Sequence, residues 1–347
     1  STAASIVNKK AATLAGEEFF KNPVGTGAFT FESWIAGDRI TLNSFKDYWG
    51  EKPKVEKVIF RSIPEVSNRM IALETEEIDA SFDIGIMDRE ALINHKDLSL
   101  IEVESSAQLY LSFDQTNPLF KDIRIRQAIS YAIDNKTLAE AVFRGSASPA
   151  NSPLPSAVAG HKDIDYYKQN IELAKKLLAE AGYPNGFPLK LWVNDESTRV
   201  DMCVIIQGQL KEIGIDVDIE VFEWGTFLTK TLEHNKPLYL FSWSGSTGDA
   251  DGILYPMFHS SQRDVSANRS NYFSPKVDSL LDMARTSIDE EKRLSLYKEA
   301  QEEIQKDLPH YTLVYNKLNM GINKKVKGLT LSSTGDINLA DISILEN

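Results

Sequence analysis

The chain has 347 residues, enough for about two domains, and its 42% hydrophobic content suits a sizeable core. A formal charge of −12 argues against nucleic acid, whose phosphates call for a basic face. No run of about 20 apolar residues offers a spanning helix, no basic start with an apolar stretch marks a signal segment, and the single cysteine, Cys203, excludes an intrachain disulfide.

In chain order, Phe29–Trp34 alternates and is followed by Arg39–Asn43, which predicts a hairpin with Gly37 in the turn. Val58–Ile63 reads as a strand that Pro64 ends. Ser67–Leu73 reads as a short helix with Ser67 as N-cap. Ile78–Phe82 and Leu109–Phe113 are extended. Ile125, Ala128, Ile129, Ala132 and Ile133 share one helical face. Asp134 and Asn135 interrupt that helix, and a second one, Leu138–Phe143, is ended by Gly145. Ser146–Gly160, rich in Ser, Pro and Ala, reads as a long loop.

Residues 169–182 form a helix closed by Gly182. Strand Leu189–Val193, helix Arg199–Ile213 and strand Ile215–Phe222 make a β-α-β unit, which predicts parallel pairing. Cys203 falls on the apolar face of that helix and reads as a core residue. Tyr239–Trp243 is a buried strand, Val277–Ala284 and Lys292–Ile304 are helices, and Tyr311–Tyr315 is a strand. Hairpins and β-α-β units together predict two α/β lobes.

Little here suggests catalysis. The histidines (His95, His161, His234, His259, His310) show no metal-ligand spacing. His259 reads as a surface imidazole. Gly25 and Gly27 read as a turn, not a phosphate cradle. Asp249 and Asp251 could hold Ca²⁺ or act as acid and base, but loop position 12 is Ser260. They read better as caps of a helix over Ile253–Phe258.

Several segments form a recognisable series. Asn22–Trp34 reads NPVGTGAFTFESW, Phe45–Gly50 reads FKDYWG, and Glu76–Asp79 reads EEID. Phe113–Asp134 reads FDQTNPLFKDIRIRQAISYAID, and Tyr272–Asp278 reads YFSPKVD. In this order they resemble the solute-binding proteins of peptide/nickel ABC importers, extracellular solute-binding family 5. The resemblance implies an α/β fold of the periplasmic-binding-protein-like type II (cluster C), with two lobes that close on a ligand. It implies that residues 1–110 are a second pass through domain I, 111–315 are domain III, and 316–347 return to domain I. It also implies that the first pass and domain II are absent from this stretch, so that it binds ligand weakly or not at all alone. A signal segment would then precede Ser1, for a periplasmic or extracellular protein, either free or lipid-anchored.

By the same resemblance the ligand wall centres on Phe241–Asp251. Strand residues Ser242 and Ser244 would offer main-chain groups to a peptide in β fashion. Trp224 and Trp243 would line the pocket, with Gly245, Ser246, Asp249 and Asp251 beside them. Where dipeptide and oligopeptide binders place an Asp for the ligand amine, this chain has Ser246. The arginines those proteins use for the ligand carboxylate, on the segments of Trp192–Val193, Thr231 and Leu240, are not matched either. The run from Trp243 to Asp251 resembles that of glutathione-binding relatives. The expected function is capture of a peptide or peptide-like solute for an ABC permease, by a monomer without cofactor or enzymatic activity. An oligosaccharide or nickel-chelate binder of the same fold is the alternative. A hydrolase using Asp249 and Asp251, or a signalling scaffold on the same lobes, stands further off.

Overall fold

The computed structural model describes residues 5–164, 167–263 and 267–345. The chain divides into two compact units, Ser1–Val103 with Leu318–Asn347, and Glu104–Lys317.

In the first unit, α1 (Lys9–Ala15) precedes an antiparallel sheet of β1 (Phe29–Ile35), β2 (Arg39–Ser44) and β3 (Lys57–Arg61). The β1–β2 hairpin turns as expected, with Gly37 at φ 75° and Ile35 opposite Arg39. Helix α2 (Val66–Glu74) starts earlier than its sequence suggests: the Glu65 carbonyl already accepts from Arg69 N at 3.1 Å. Ser67 therefore lies inside the helix and caps nothing. Strand β4 (Ala80–Phe82) and helix α3 (Arg89–Ile93) follow, and Met70, Leu73, Ile84, Leu92 and Leu98 make a small core.

Strand β5 (Leu98–Ser112) and strand β10 (His310–Asn323) are neighbours, and each contributes to both units. Within the first unit, Ala80–Phe82 pairs antiparallel with the far part of β10, over Met320–Ile322. A two-residue pairing of β11 (Val326–Lys327) with β12 (Ser343–Ile344) completes that unit.

The second unit carries α4 (Pro118–Lys121), α5 (Ile123–Ala132), α6 (Asn135–Phe143), β6 (Ala147–Pro149) and α7 (Ile171–Glu180). Then come β7 (Pro188–Asn194), α8 (Ser197–Lys211), β8 (Asp216–Phe222), α9 (Trp224–Lys230), β9 (Leu238–Ser244), α10 (Asp251–Phe258), α11 (Pro275–Thr286) and α12 (Glu290–Asp307). Strand β7 pairs parallel with both β8 and β9, and β9 pairs antiparallel with β5. Aspartates punctuate the helices: Asp122 accepts from Arg124 N at the start of α5, and Asp134 accepts from Lys136 N and Thr137 N at the start of α6. The left-handed residue that ends α6 is Arg144, one position before Gly145.

Alternation along the strands feeds two cores, as in sheets covered on both faces. Leu109, Leu191, Leu238 and Leu240 face Ile129, Cys203, Ile206 and Leu210. Tyr110, Trp192, Tyr239 and Phe241 face Phe227, Leu254, Phe258 and Tyr297. The segment expected as a long loop is partly structured. Its β6 pairs with β10, and Leu154 and Val158 are buried in the second core. Side chains satisfy its buried carbonyls: Gln108 donates to Pro153 O at 3.1 Å and the Tyr315 hydroxyl to Ser152 O at 2.8 Å.

Cys203 is fully buried in the first core, and burial pushes its thiol pKa up. It is expected to resist a maleimide under native conditions and to react fully in denaturant. Stoichiometric labelling of the folded chain, read by mass spectrometry, would contradict that placement.

Candidate functional site

Three parallel strands end on one rim of the second unit, at Asn194, Phe222 and Ser244. In open α/β sheets, ligands bind in the crevice outside such carboxyl ends. Helices α8 and α9 begin directly after β7 and β8, but carboxylates already occupy their first turns. Glu196 accepts from Thr198 N at 3.1 Å, and Glu223 accepts from Gly225 N at 2.9 Å and Thr226 N at 3.1 Å. Those backbone donors hold the Glu223 carboxyl below its usual range.

Strand β9 has an open edge. Its ladder with β7 consists of Leu191↔Leu238 and Trp192↔Tyr239, whereas β9 runs on to Ser244. Among the described residues, β5 alone is its strand neighbour over Leu240–Ser244.

The expected site residues fall into two groups. Trp224 is the first residue of α9, 42% exposed, and stacks on Phe241 with ring centroids 6.1 Å apart. The Arg199 guanidinium lies 5.8 Å from the Trp224 ring centroid and donates to Ser242 Oγ at 2.9 Å. Ser244 and Ser246 are exposed, and Ser244 is opposite Ala107 of β5. Trp224, Ser242 and Ser244 therefore share the rim.

The others are held by their own neighbours. Trp243 donates from Nε1 to Gly252 O at 3.2 Å and packs against the second core. Gly245 is clamped to Ser106, whose carbonyl accepts its N–H at 3.2 Å and whose hydroxyl donates to its carbonyl at 2.6 Å. A Cβ there would meet Ile253 at 3.0 Å. Asp249 pairs with Arg293 at 2.6 Å and accepts from Asp251 N at 2.9 Å. Burial raises the Asp249 pKa, but the Arg293 bond and the Asp251 N–H outweigh it and hold it below the usual range. Asp251 opens α10 and pairs with Arg285 at 3.1 Å.

His259 is not at the surface. It is 8% exposed, stacks on Tyr255 at 4.3 Å and lies 3.4 Å from Asp282. It follows the apolar end of α10, where Met257 and Phe258 enter the second core and carry it inward. Among the described residues no group of three or more His, Cys, Asp or Glu could hold a metal ion, and no helix is long and apolar enough to cross a membrane.

Arg199, Arg269 and Tyr110 went unmarked in the sequence. Arg199 reads there only as a helix start. Arg269 and Tyr110 lie far from the rim strand in sequence and reach it only through the fold.

Residues 1–264 match the family described as bacterial extracellular solute-binding proteins, family 5 Middle. The chain belongs to that family. This family 5 protein is 31% identical to the glutathione-binding protein GsiB of Pectobacterium atrosepticum over 352 residues, covering 98% of the chain and 68% of that relative. It is 28% identical to the dipeptide-binding protein of Escherichia coli (strain K12), covering 98% of the chain and 66% of that relative. The chain thus spans about two thirds of the length of these curated relatives.

Among solved structures, it resembles HbpA2 from Haemophilus parasuis, with a TM-score of 0.89 at 29% identity over 98% of this chain and 69% of that one. It also resembles DppA, an ABC transporter-associated periplasmic binding protein from Helicobacter pylori in complex with the peptide STSA, with a TM-score of 0.78 at 32% identity over 98% and 68% of the two chains. The α/β fold of this family 5 protein is that of periplasmic binding proteins, a family of binding proteins rather than enzymes.

Proposed function

We propose that this protein is the solute-binding component of an ABC importer, working in the periplasm or outside the cell and delivering a peptide or peptide-like solute to a permease. The open edge of β9 at the carboxyl ends of β7 and β8 carries this reading. An extended peptide can add to such an edge through main-chain hydrogen bonds, independent of side chains. Ser242 and Ser244 supply those groups, and Trp224 covers one side of the solute. Trp243, Gly245, Asp249 and Asp251 shape the wall from behind, while Ser246 sits exposed at its margin. Residues 1–110 and 316–347 correspond in this reading to domain I, and 111–315 to domain III. The protein works as a monomer and without enzymatic activity.

Relatives that bind a dipeptide, glutathione and the peptide STSA support a peptide-like solute. Thermal shift against glutathione, short peptides, oligosaccharides and a nickel chelate tests it. A peptide-like member of the panel is expected to stabilise the protein by mass action, by about 2.7 kcal/mol at a hundredfold excess over Kd, with a weak Kd for residues 1–347 alone. Trp224→Ala is expected to abolish that shift while lowering stability by only about 1 kcal/mol, the worth of one aromatic stacking contact. A shift with an oligosaccharide and none with any peptide would replace the reading.

A further inference from the structure

Phe241 sits at the centre of an unbalanced electrostatic arrangement. The Arg269 guanidinium carbon lies 4.8 Å from the Phe241 ring centroid. Nη1 of Arg269 donates to Leu228 O at 3.0 Å and Thr231 Oγ1 at 2.5 Å, at the end of α9. Its Nε is buried without a partner, and no ion pair forms with it among the described residues. Tyr110, opposite Phe241 in the β5–β9 ladder, is 1% exposed, and its hydroxyl is likewise without a partner.

Among the described residues, three carboxylates of this region are already engaged. Asp114 pairs with Lys236 at 3.2 Å, Glu196 pairs with Arg199 at 3.1 Å, and Glu223 caps α9. His310, stacked on Tyr110 at 4.3 Å, is driven by burial to a pKa of about 3 and stays neutral. Tyr110 and Arg269 both lie against Phe241, with the Tyr110 ring centroid 6.2 Å and the Arg269 guanidinium carbon 4.8 Å from its ring, and while burial pushes the Tyr110 phenol up, Arg269 and Arg199 pull it down. A desolvated cation and a buried hydroxyl with no acceptor are each costly alone. An anionic oxygen group that reached both would satisfy both.

We propose that Arg269 and the Tyr110 hydroxyl, with Arg199 at the margin, form an anion subsite that takes a carboxylate of the bound solute beside Phe241. The subsite rests on the reading of this rim as a ligand wall. Trp224, which overlies Phe241 and is 42% exposed where Phe241 is 4%, lies on the solvent side of this subsite. The guanidinium supplies charge-assisted hydrogen bonds and the phenol one further donor. The carboxylate is thus recognised from positions outside Trp192–Val193, Thr231 and Leu240.

Acetate titrated into the chain at constant ionic strength, followed by the Nε–Hε resonances of Arg269 and Arg199, tests this. A saturable shift at Arg269 is expected with acetate in the millimolar range and none with acetamide. Tyr110→Phe removes a hydroxyl that has no hydrogen-bond partner among the described residues, so the fold is retained, and acetate affinity should fall about tenfold. Arg269→Gln should weaken a free-acid peptide by ten- to a hundredfold and leave its C-terminal amide unchanged. An Arg269 resonance that acetate does not move, or that acetamide moves equally, overturns the subsite, as does an unchanged affinity in Tyr110→Phe. If acetate binds at Arg269 but no peptide binds in either form, the subsite stands and the peptide reading falls. If acid and amide peptides bind alike and Arg269 stays silent, the peptide reading stands and the subsite falls.

Discussion

Asp114→Ala is expected to destabilise the protein by roughly 3–5 kcal/mol, the cost of stranding a buried charge. Asp114 is 0% exposed and Lys236 1% exposed, with their charged atoms 3.2 Å apart. The carboxylate also accepts from Thr116 N at 3.0 Å, Lys236 N at 2.9 Å and Asn271 Nδ2 at 2.9 Å. One side chain therefore ties the end of β5 to the segment before β9 and to the loop before α11. Urea denaturation measures the loss. Pairing the change with Lys236→Met should cost less than the sum of the two single changes, because the stranded charge goes too. A loss below about 1 kcal/mol in Asp114→Ala would show the pair to be energetically idle.

The same pair predicts an acid limb. Burial raises the Asp114 pKa, but the Lys236 ammonium and the surrounding N–H donors more than reverse this, so the folded value lies below the unfolded one of about 3.9. The contribution is complete above that unfolded value and is lost as pH falls through the folded one. The acid limb of stability should be shallower in Asp114→Ala than in the parent.

Gly186→Ala is expected to cost roughly 3 kcal/mol or more, the sum of a left-handed backbone term and overpacking. Gly186 has φ 75°, and a Cβ built there lies 1.9 Å from Gly214 O and 2.2 Å from Gly214 C. Gly214 is itself at φ 81°, with its own Cβ position 2.7 Å from Asn185 O. The two glycines lead into β7 and β8, whose seven-residue parallel register runs from Pro188↔Asp216 to Asn194↔Phe222. Forcing them apart disturbs that register and, through it, the rim at its far end. Gly182→Ala separates the two causes. Its φ is 94° but nothing lies within 4 Å of the added atom, so only the backbone term of about 1–2 kcal/mol applies. Equal losses at Gly182 and Gly186 would show that the backbone crossing is not tight.

Much of this architecture is legible in the residues themselves. The β7–α8–β8 unit carries alternating strands, a helical apolar stripe through Cys203 and Leu210, and Gly214 as a stop. Only the apolar parts of the 15-residue β5 and 14-residue β10 read as strands in the sequence. Their remaining stretches do alternate, Ile101 and Val103 with Glu102 and Glu104, and Leu318, Met320 and Ile322 with Asn319, Gly321 and Asn323. But Ser105 and Ser106 in β5 and Asn316 and Lys317 in β10 divide them from the apolar parts, so each long strand reads as two short ones. Helix α9 is invisible beside its short, aromatic sequence, although Glu223 caps it. The rim divides the same way. Trp224 and Ser242–Ser246 stand out by family resemblance, whereas Arg269 gains meaning only when strand pairing sets Tyr110 against Phe241.

The split of the units along the chain bears on the order of events at the ribosome. Glu104–Lys317 is one continuous stretch, whereas the other unit must wait for Leu318 and beyond. Ala80–Phe82 finds its partner strand only at Met320–Ile322, after the whole intervening unit has been made. Pairings so remote in sequence form late, and N-terminal portions kept waiting expose edges in the meantime. A nascent chain halted just short of Leu318 would hold both large cores and the Asp114–Lys236 pair, yet leave β4 without its neighbour. The β1–β2–β3 sheet closes on itself early, so it is β4 that stays longest without its partner during synthesis.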